Sequence, residues 1–440
     1  MGRELVWARV VALLLAGLLI GNVWGQKLDS IDRGRVEDML HELSSDIKKH
    51  YYDPKLHGVN WDQKVEEAKE KIKTADSMNR AMSQIAAALD SLHDSHTFFL
   101  PPAHNNRSDY GWKGQVIGER CFVMRVRPGS DAEKKGVKPG DQLTAVNGFN
   151  PNREDFWKIE YVFNTLRPQP ALRLDLRDPA GKPRQLDIIT NIVQGKKVLD
   201  LTGGDGNDIW QLIREEETED HLGRVRYVEI DGDVGVLKFP GFFFNPSQID
   251  NMISKMRKQK AVIVDLRGNP GGSVETLKSL VSGFFDKEIK IGDRIGRSEL
   301  KPMVAKEHGH PFEGKLIVLV DSDSASASEL FARTIQIEKR GTVMGDRSSG
   351  SVMESKRFSY KTGTDTVVFY GASITDADII MTDGKSLEHN GVIPDEFLLP
   401  TAEDIANGRD PVLAHAAQSA GSKLTPEAAG KLFPYEWPPI

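Results

Sequence analysis

Two stretches, "AVIVDLRGNPGGSVETL" (261–277) and "KLIVLVDSDSASASELFARTIQ" (315–336), restrict the fold more than any other part of the chain. Each begins with an unbroken apolar run, passes through a short turn, and continues with apolar residues three and four apart. A strand that is apolar at every position is buried on both faces, which belongs to a sheet covered by helices. "GVLKFPG" (235–241) followed by "SQIDNMISKMRK" (247–258) has the same texture. Residues 226–400 are therefore expected to form an α/β core of strand–turn–helix units.

The two turns carry chemistry. "GNPGG" follows a strand and precedes a helix, so it exposes backbone N–H groups where a negative oxygen is favoured. It is not a phosphate loop: it lacks G-K-[ST], and Pro270 removes one donor. The second turn holds Ser322, Ser324, Ser326 and Ser328. One serine suffices to cap a helix. Four, interleaved with alanines at the end, suggest tight packing around an exposed hydroxyl. Ser326 falls at the first turn of the expected helix, where the dipole and the unpaired Ala327 amide favour developing negative charge. A serine nucleophile also needs an adjacent base.

The rest of the chain has other textures. "VVALLLAGLLIGNV" (10–23) follows Arg3 and Arg9 and precedes Gly25, which reads as a secretory signal peptide (1–25) cleaved after Gly25. The expected mature protein is exported, periplasmic or extracellular, with no stable membrane span. Residues 26–109 are helix-rich up to "LHDSHTFFLPP" (92–102), where two prolines end the regular element. Residues 110–192 read as short strands between Gly and Pro turns. Residues 193–225 read as a linker, and 401–440 as a C-terminal segment ending "KLFPYEWPPI". A net charge of −6 gives no basic footprint for nucleic acid. The single cysteine, Cys121, excludes an internal disulfide framework and sits in an apolar run as a buried thiol. His93 and His96 are three apart, but no third ligand accompanies them, so neither metal nor cofactor is expected.

Within the middle region, "GSDAEKKGVKPGDQLTAVNG" (129–148) resembles a PDZ domain through Gly129, Ser130, Ala132, Gly136, Val137, Gly140, Asp141, Leu143, Val146, Asn147 and Gly148. Such a domain adds a peptide as an extra strand and captures its terminal carboxylate.

The set "DLRGNPGG", "DSDSASASELFA" and "LEHNGVIPD" (387–395), with a leader, a helical region and a PDZ-like insert, resembles the C-terminal processing (tail-specific) serine peptidases. The resemblance covers nearly all of the mature chain. It implies a ClpP/crotonase-like α/β peptidase core and Ser326 as nucleophile. It also implies an oxyanion hole of the Ala327 amide and a glycine amide, Gly272 or its neighbour Gly271. Polypeptides, bound through their C-terminal tails, are the implied substrates.

One departure bears on mechanism. The better-known branch of that family takes a lysine base from a "GxxxxGK" context, and here Gly350 is followed by Ser351. Lys356, five positions later, would need a shift in register to serve. A second branch, similar to the core of tricorn protease, uses a Ser–His–Ser–Glu tetrad whose Ser-His pair precedes the insert. That resemblance implies His96 as base, Ser95 as the residue orienting it, and Glu388 behind Ser95, with Asp94 an alternative carboxylate. It also sets the expected loss of activity near the ordinary histidine value, about pH 6.5. The competing readings are a non-catalytic binding protein on the same fold and a PDZ scaffold.

Overall fold

The structure is a computed structural model describing residues 28–103, 106–194, 226–307, 309–363 and 367–437. The leader expected over 1–25 lies outside these residues, as does the expected linker from residue 195 on. No helix among the described residues is long and apolar enough to cross a membrane.

The core is a six-stranded sheet in the order Glu396–Phe397, Thr342–Gly345, Lys315–Val320, Ala261–Asp265, Val234–Lys238, Arg226–Ile230. All neighbours run parallel except the last pair. The continuous apolar strands behave as their composition predicts. Leu316, Val318 and Val320 pack with helices Pro246–Met256, Val274–Ser282 and Ala327–Ile337, while Ile317 and Leu319 pack with Pro411–Ser419 on the opposite face. The C-terminal segment is thus a covering layer of the core.

A second, antiparallel sheet was not legible in the strand–helix alternation. Strand Val368–Met381 pairs with Met353–Thr362, with Ile289–Ile295 and with Phe98–Leu100, which comes from the N-terminal region. Helices Ser30–His50, Trp61–Thr74 and Met78–Asp90 close their apolar faces on that sheet. Val36, Leu40, Leu43 and Ile47 share one cluster with Ile85, Leu89, Phe99, Tyr370, Ala372 and Ile374. The helical region therefore shares its core with the second sheet, and hydrogen bonds of Glu388 and His389 tie the turn that follows the helices to the 386–389 turn.

Residues 112–189 form a five-stranded antiparallel sheet with helices Asp131–Lys134 and Phe156–Tyr161 and a core of their own around Cys121, Val123, Leu143 and Leu174. Its entry and exit strands, Asn106–Asp109 and Asn191–Gln194, pair with each other. The unit docks beside the serine-rich turn: Gln115 Nε2 donates to Asp321 Oδ2 (2.6 Å) and Ser322 Oγ to the Val116 carbonyl (2.5 Å).

Behind the glycine turn, the buried Asp265 carboxylate accepts from Arg267 Nε (2.9 Å) and Nη2 (2.8 Å) and faces Lys238 Nζ at 3.3 Å. Arg267 in turn grips Asp410 at 2.9 and 2.7 Å. Burial opposes ionisation of Asp265, but Arg267 and Lys238 hold its carboxyl far below the usual range. Asp265→Ala leaves Lys238 without a carboxylate and Arg267 with Asp410 alone, and is expected to cost about 3–5 kcal/mol, read as a lower midpoint in chemical denaturation. Because the folded-state carboxyl titrates below its unfolded value, this stabilisation is present above about pH 4 and lost as the pH falls below it.

Candidate active site

Ser326 caps helix Ala327–Ile337 at φ 55°, ψ −116°, a left-handed conformation unusual for a residue with a side chain. The other serines of the turn are committed. Ser322 binds the Val116 carbonyl, Ser324 Oγ donates to the Leu266 carbonyl (2.8 Å), and Ser328 Oγ donates to the Asn269 carbonyl (2.9 Å). The Ser326 hydroxyl donates to no residue among those described. Three serines build the turn and one is left available.

The glycine turn stands against it. A Cβ on Gly271 would lie 2.7 Å from Ser326 Cβ and 3.0 Å from the Ala327 nitrogen, so only glycine allows the approach. Gly271 has φ 94° and Gly272 φ 141°, backbone that L side chains rarely adopt. The two glycines offered by the sequence now separate. The Gly271 amide donates to Asn269 Oδ1 (2.9 Å), which removes it as a free donor. Among the described residues, neither the Gly272 nor the Ala327 amide donates a hydrogen bond within the protein. Two N–H groups without an acceptor therefore lie on the two turns that meet at Ser326, donors of the kind an oxyanion needs.

The structure also brings Ser95, His96 and Glu388 together. Ser95 Oγ lies 2.7 Å from His96 Nδ1 and donates to Glu388 Oε2 at 2.9 Å, while the Ser95 amide donates to Glu388 Oε1 at 2.7 Å. A hydroxyl has one proton. With Glu388 ionised, Ser95 gives its proton to the carboxylate and accepts from His96, which places the ring proton on Nδ1 and leaves Nε2 as the acceptor. Burial lowers His96 to about 4, with Asp94 opposing in part. Burial thus favours the neutral imidazole more than in an ordinary histidine near pH 6.5. Glu388 is raised from its usual value, chiefly by burial, against three donors that favour its charge: Ser95 twice and Val352 N at 2.8 Å.

Asp94, the alternative carboxylate, has a different task. Its Oδ1 accepts from the His96 amide (2.9 Å), the Thr97 amide (2.7 Å) and Thr375 Oγ1 (2.8 Å), fixing the turn from behind. Lys356 lies on strand Met353–Thr362, paired with Asp376 at 2.7 Å and with 68% of its side chain exposed. It is spent elsewhere. Among the described residues no three His, Cys, Asp or Glu side chains are gathered to hold a metal.

No hydrogen bond links His96 to Ser326 in this structure. One peptide unit joins their neighbourhoods: the Ser351 carbonyl accepts from the Ser326 amide (2.8 Å), and the next amide, Val352, donates to Glu388. Sequence reasoning missed Glu329, which is fully buried and accepts from Ser348 Oγ (2.6 Å) and the amides of Gly350 (2.7 Å), Ser351 (2.9 Å) and Ser326 (3.0 Å). Its position three residues after Ser326 was the available signal, but a glutamate there also reads as an ordinary helix-start residue.

Against this geometry, residues 233–397 match the family described as Peptidase family S41, and residues 34–78 match the Tricorn protease C1 domain. The part of the chain that holds the serine and glycine turns is thus similar to the S41 peptidases. The chain is similar to a tail-specific protease of Haemophilus influenzae, 23% identical over 69% of this chain and 43% of that protein. It is also similar to a carboxyl-terminal-processing protease of a Picosynechococcus species, 23% identical over 90% of each. The chain thus matches less than half the length of the first of these relatives. Two crystal structures share the fold: mature CPAF, with TM-score 0.63 and 17% identity over 86% of this chain and 95% of that one, and the photosystem II D1 C-terminal processing protease, with TM-score 0.52 and 18% identity over 92% and 100%.

Proposed function

We propose that this chain is an exported endopeptidase of the S41, C-terminal processing type that forms an acyl-enzyme on Ser326, with His96 as general base. The observation that carries the reading is the Glu388–Ser95–His96 chain: with Glu388 ionised, Ser95 donates to it and accepts from His96 Nδ1, which leaves Nε2 unprotonated. The substrate carbonyl lies against the Gly272 and Ala327 amides. Ser326 Oγ attacks the carbonyl carbon while its proton passes to Nε2, and the negative oxygen is held by the two amides. Collapse returns the proton to the leaving amine. Water then attacks the ester, giving its proton to Nε2, and the acid product leaves with Ser326 restored. The gap between His96 and Ser326 closes in the substrate complex, since such contacts often tighten only there. Residues 110–192 serve as a PDZ-like tail-binding module beside the serine turn, and residues 1–25 direct export. The unspent hydroxyl and the paired free amides argue against a non-catalytic carrier or scaffold.

Ser95→Ala removes the group that selects the tautomer. It is expected to lower kcat by about 10²- to 10⁴-fold with little change in KM. Lys356→Ala leaves kcat unchanged. A peptide-cleavage assay of the two variants checks both, and a collapse of activity in Lys356→Ala with normal turnover in Ser95→Ala refutes the assignment.

A further inference from the structure

Glu329 is a buried carboxylate that the S41 reaction as written does not use. Its four partners are all donors, and none carries a charge: the Ser348 hydroxyl and the amides of Gly350, Ser351 and Ser326. Only an ionised carboxylate accepts all four. A protonated one presents an O–H that either faces an amide, donor against donor, or turns the Ser348 hydroxyl round so that it no longer donates to Glu329 and accepts from both the carboxyl and the Val392 amide (2.5 Å).

The elements so joined are the two halves of the site. Glu329 Oε2 holds the Ser326 and Ser351 amides together, and the 351–352 peptide carries both the carbonyl that accepts from Ser326 and the amide that holds Glu388. We infer that Glu329 is a positioning residue whose negative charge keeps the nucleophile turn and the Glu388–Ser95–His96 chain in register, and that its protonation, rather than that of His96, sets the acid limit of activity.

Burial pushes the Glu329 carboxyl up to about 7 against the pull of its four donors, whereas His96 is held near 4. The surrounding charged groups are engaged with other partners. On its own helix Arg333 pairs with Asp383; on the adjoining loop Asp346 pairs with Arg153, and Arg347 faces Glu119 at 3.7 Å. Glu388 is held by Ser95 and Val352, and the His389 ring faces the His93 carbonyl. The titration therefore belongs to Glu329 and its four neutral donors. Activity rises as Glu329 loses its proton, so the limb falls on acidification through about pH 7.

The inference rests on Ser326 being the nucleophile, and one experiment separates the two. The full chain is treated with a fluorophosphonate from pH 4.5 to 9, and the second-order rate of labelling at Ser326 is followed by mass spectrometry. The expected wild-type limb has its midpoint near 7. Ser348→Ala deletes a hydrogen bond to the charged form, which raises the carboxyl, so the midpoint moves up by about one pH unit. Glu329→Gln cannot titrate. It labels at least tenfold more slowly at pH 8 and loses the limb near 7, and Glu329→Asp, too short to reach all four donors, does not rescue it. A limb that stays in place in Ser348→Ala overturns the inference, as does a wild-type limb near 4. Absence of labelling at every pH overturns the nucleophile assignment and this inference with it.

Discussion

Ser326→Ala is expected to abolish turnover, lowering kcat/KM on a peptide by about five to six orders of magnitude while leaving the unfolding transition where it was. The structure gives the reason for both halves. The hydroxyl donates to no described residue, so its removal strands no buried acceptor. The left-handed φ of 55° costs alanine no more than it costs serine. Activity is lost because no other hydroxyl of the turn is free: Ser324 and Ser328 are held by the Leu266 and Asn269 carbonyls. His96→Ala is expected to lose a comparable factor, and the double variant little more than either alone, because nucleophile and base act as a unit. Steady-state kinetics with circular dichroism melting checks all three variants. Additive losses would show that the two residues act independently.

The second large effect is expected at Gly272. A Cβ there would sit 2.5 Å from the Phe242 carbonyl oxygen, on a backbone at φ 141°. Alanine must therefore move the turn and carry the Gly272 amide away from the position it shares with Ala327. Loss of one oxyanion donor typically costs about 10²- to 10³-fold in kcat, with KM changing far less. Gly268→Ala separates this from backbone strain alone. Gly268 also has positive φ, 72°, but a Cβ there meets nothing within 4 Å. It is expected to lose stability of about 1–2 kcal/mol and to keep most of its kcat. Equal kcat losses in the two variants would mean that strain, and not the donor, accounts for the effect.

How much of this could be read in advance follows from the physics of each element. "KLIVLV" was legible as a doubly covered strand because the sheet buries both of its faces. The antiparallel sheet was not, because Phe98 and its partner Ser373 are brought together only by tertiary pairing, which leaves no local periodicity. The Ser95, His96 and Glu388 positions came from a resemblance, and the chain supplies no spacing that would predict their hydrogen bonds. The choice of Gly272 over Gly271 turned on where the Asn269 side chain points. The titration of His96 turned on its burial, and no residue beside it in sequence foretells that.

The most direct test of the account is the rate at which a fluorophosphonate labels the chain at pH 8.5 in the wild type, in His96→Ala and in Lys356→Ala. Labelling confined to Ser326, slowed by about 10³-fold or more in His96→Ala and unaltered in Lys356→Ala, is the predicted result. Labelling of His96→Ala at the wild-type rate, or modification of a different serine, would contradict it.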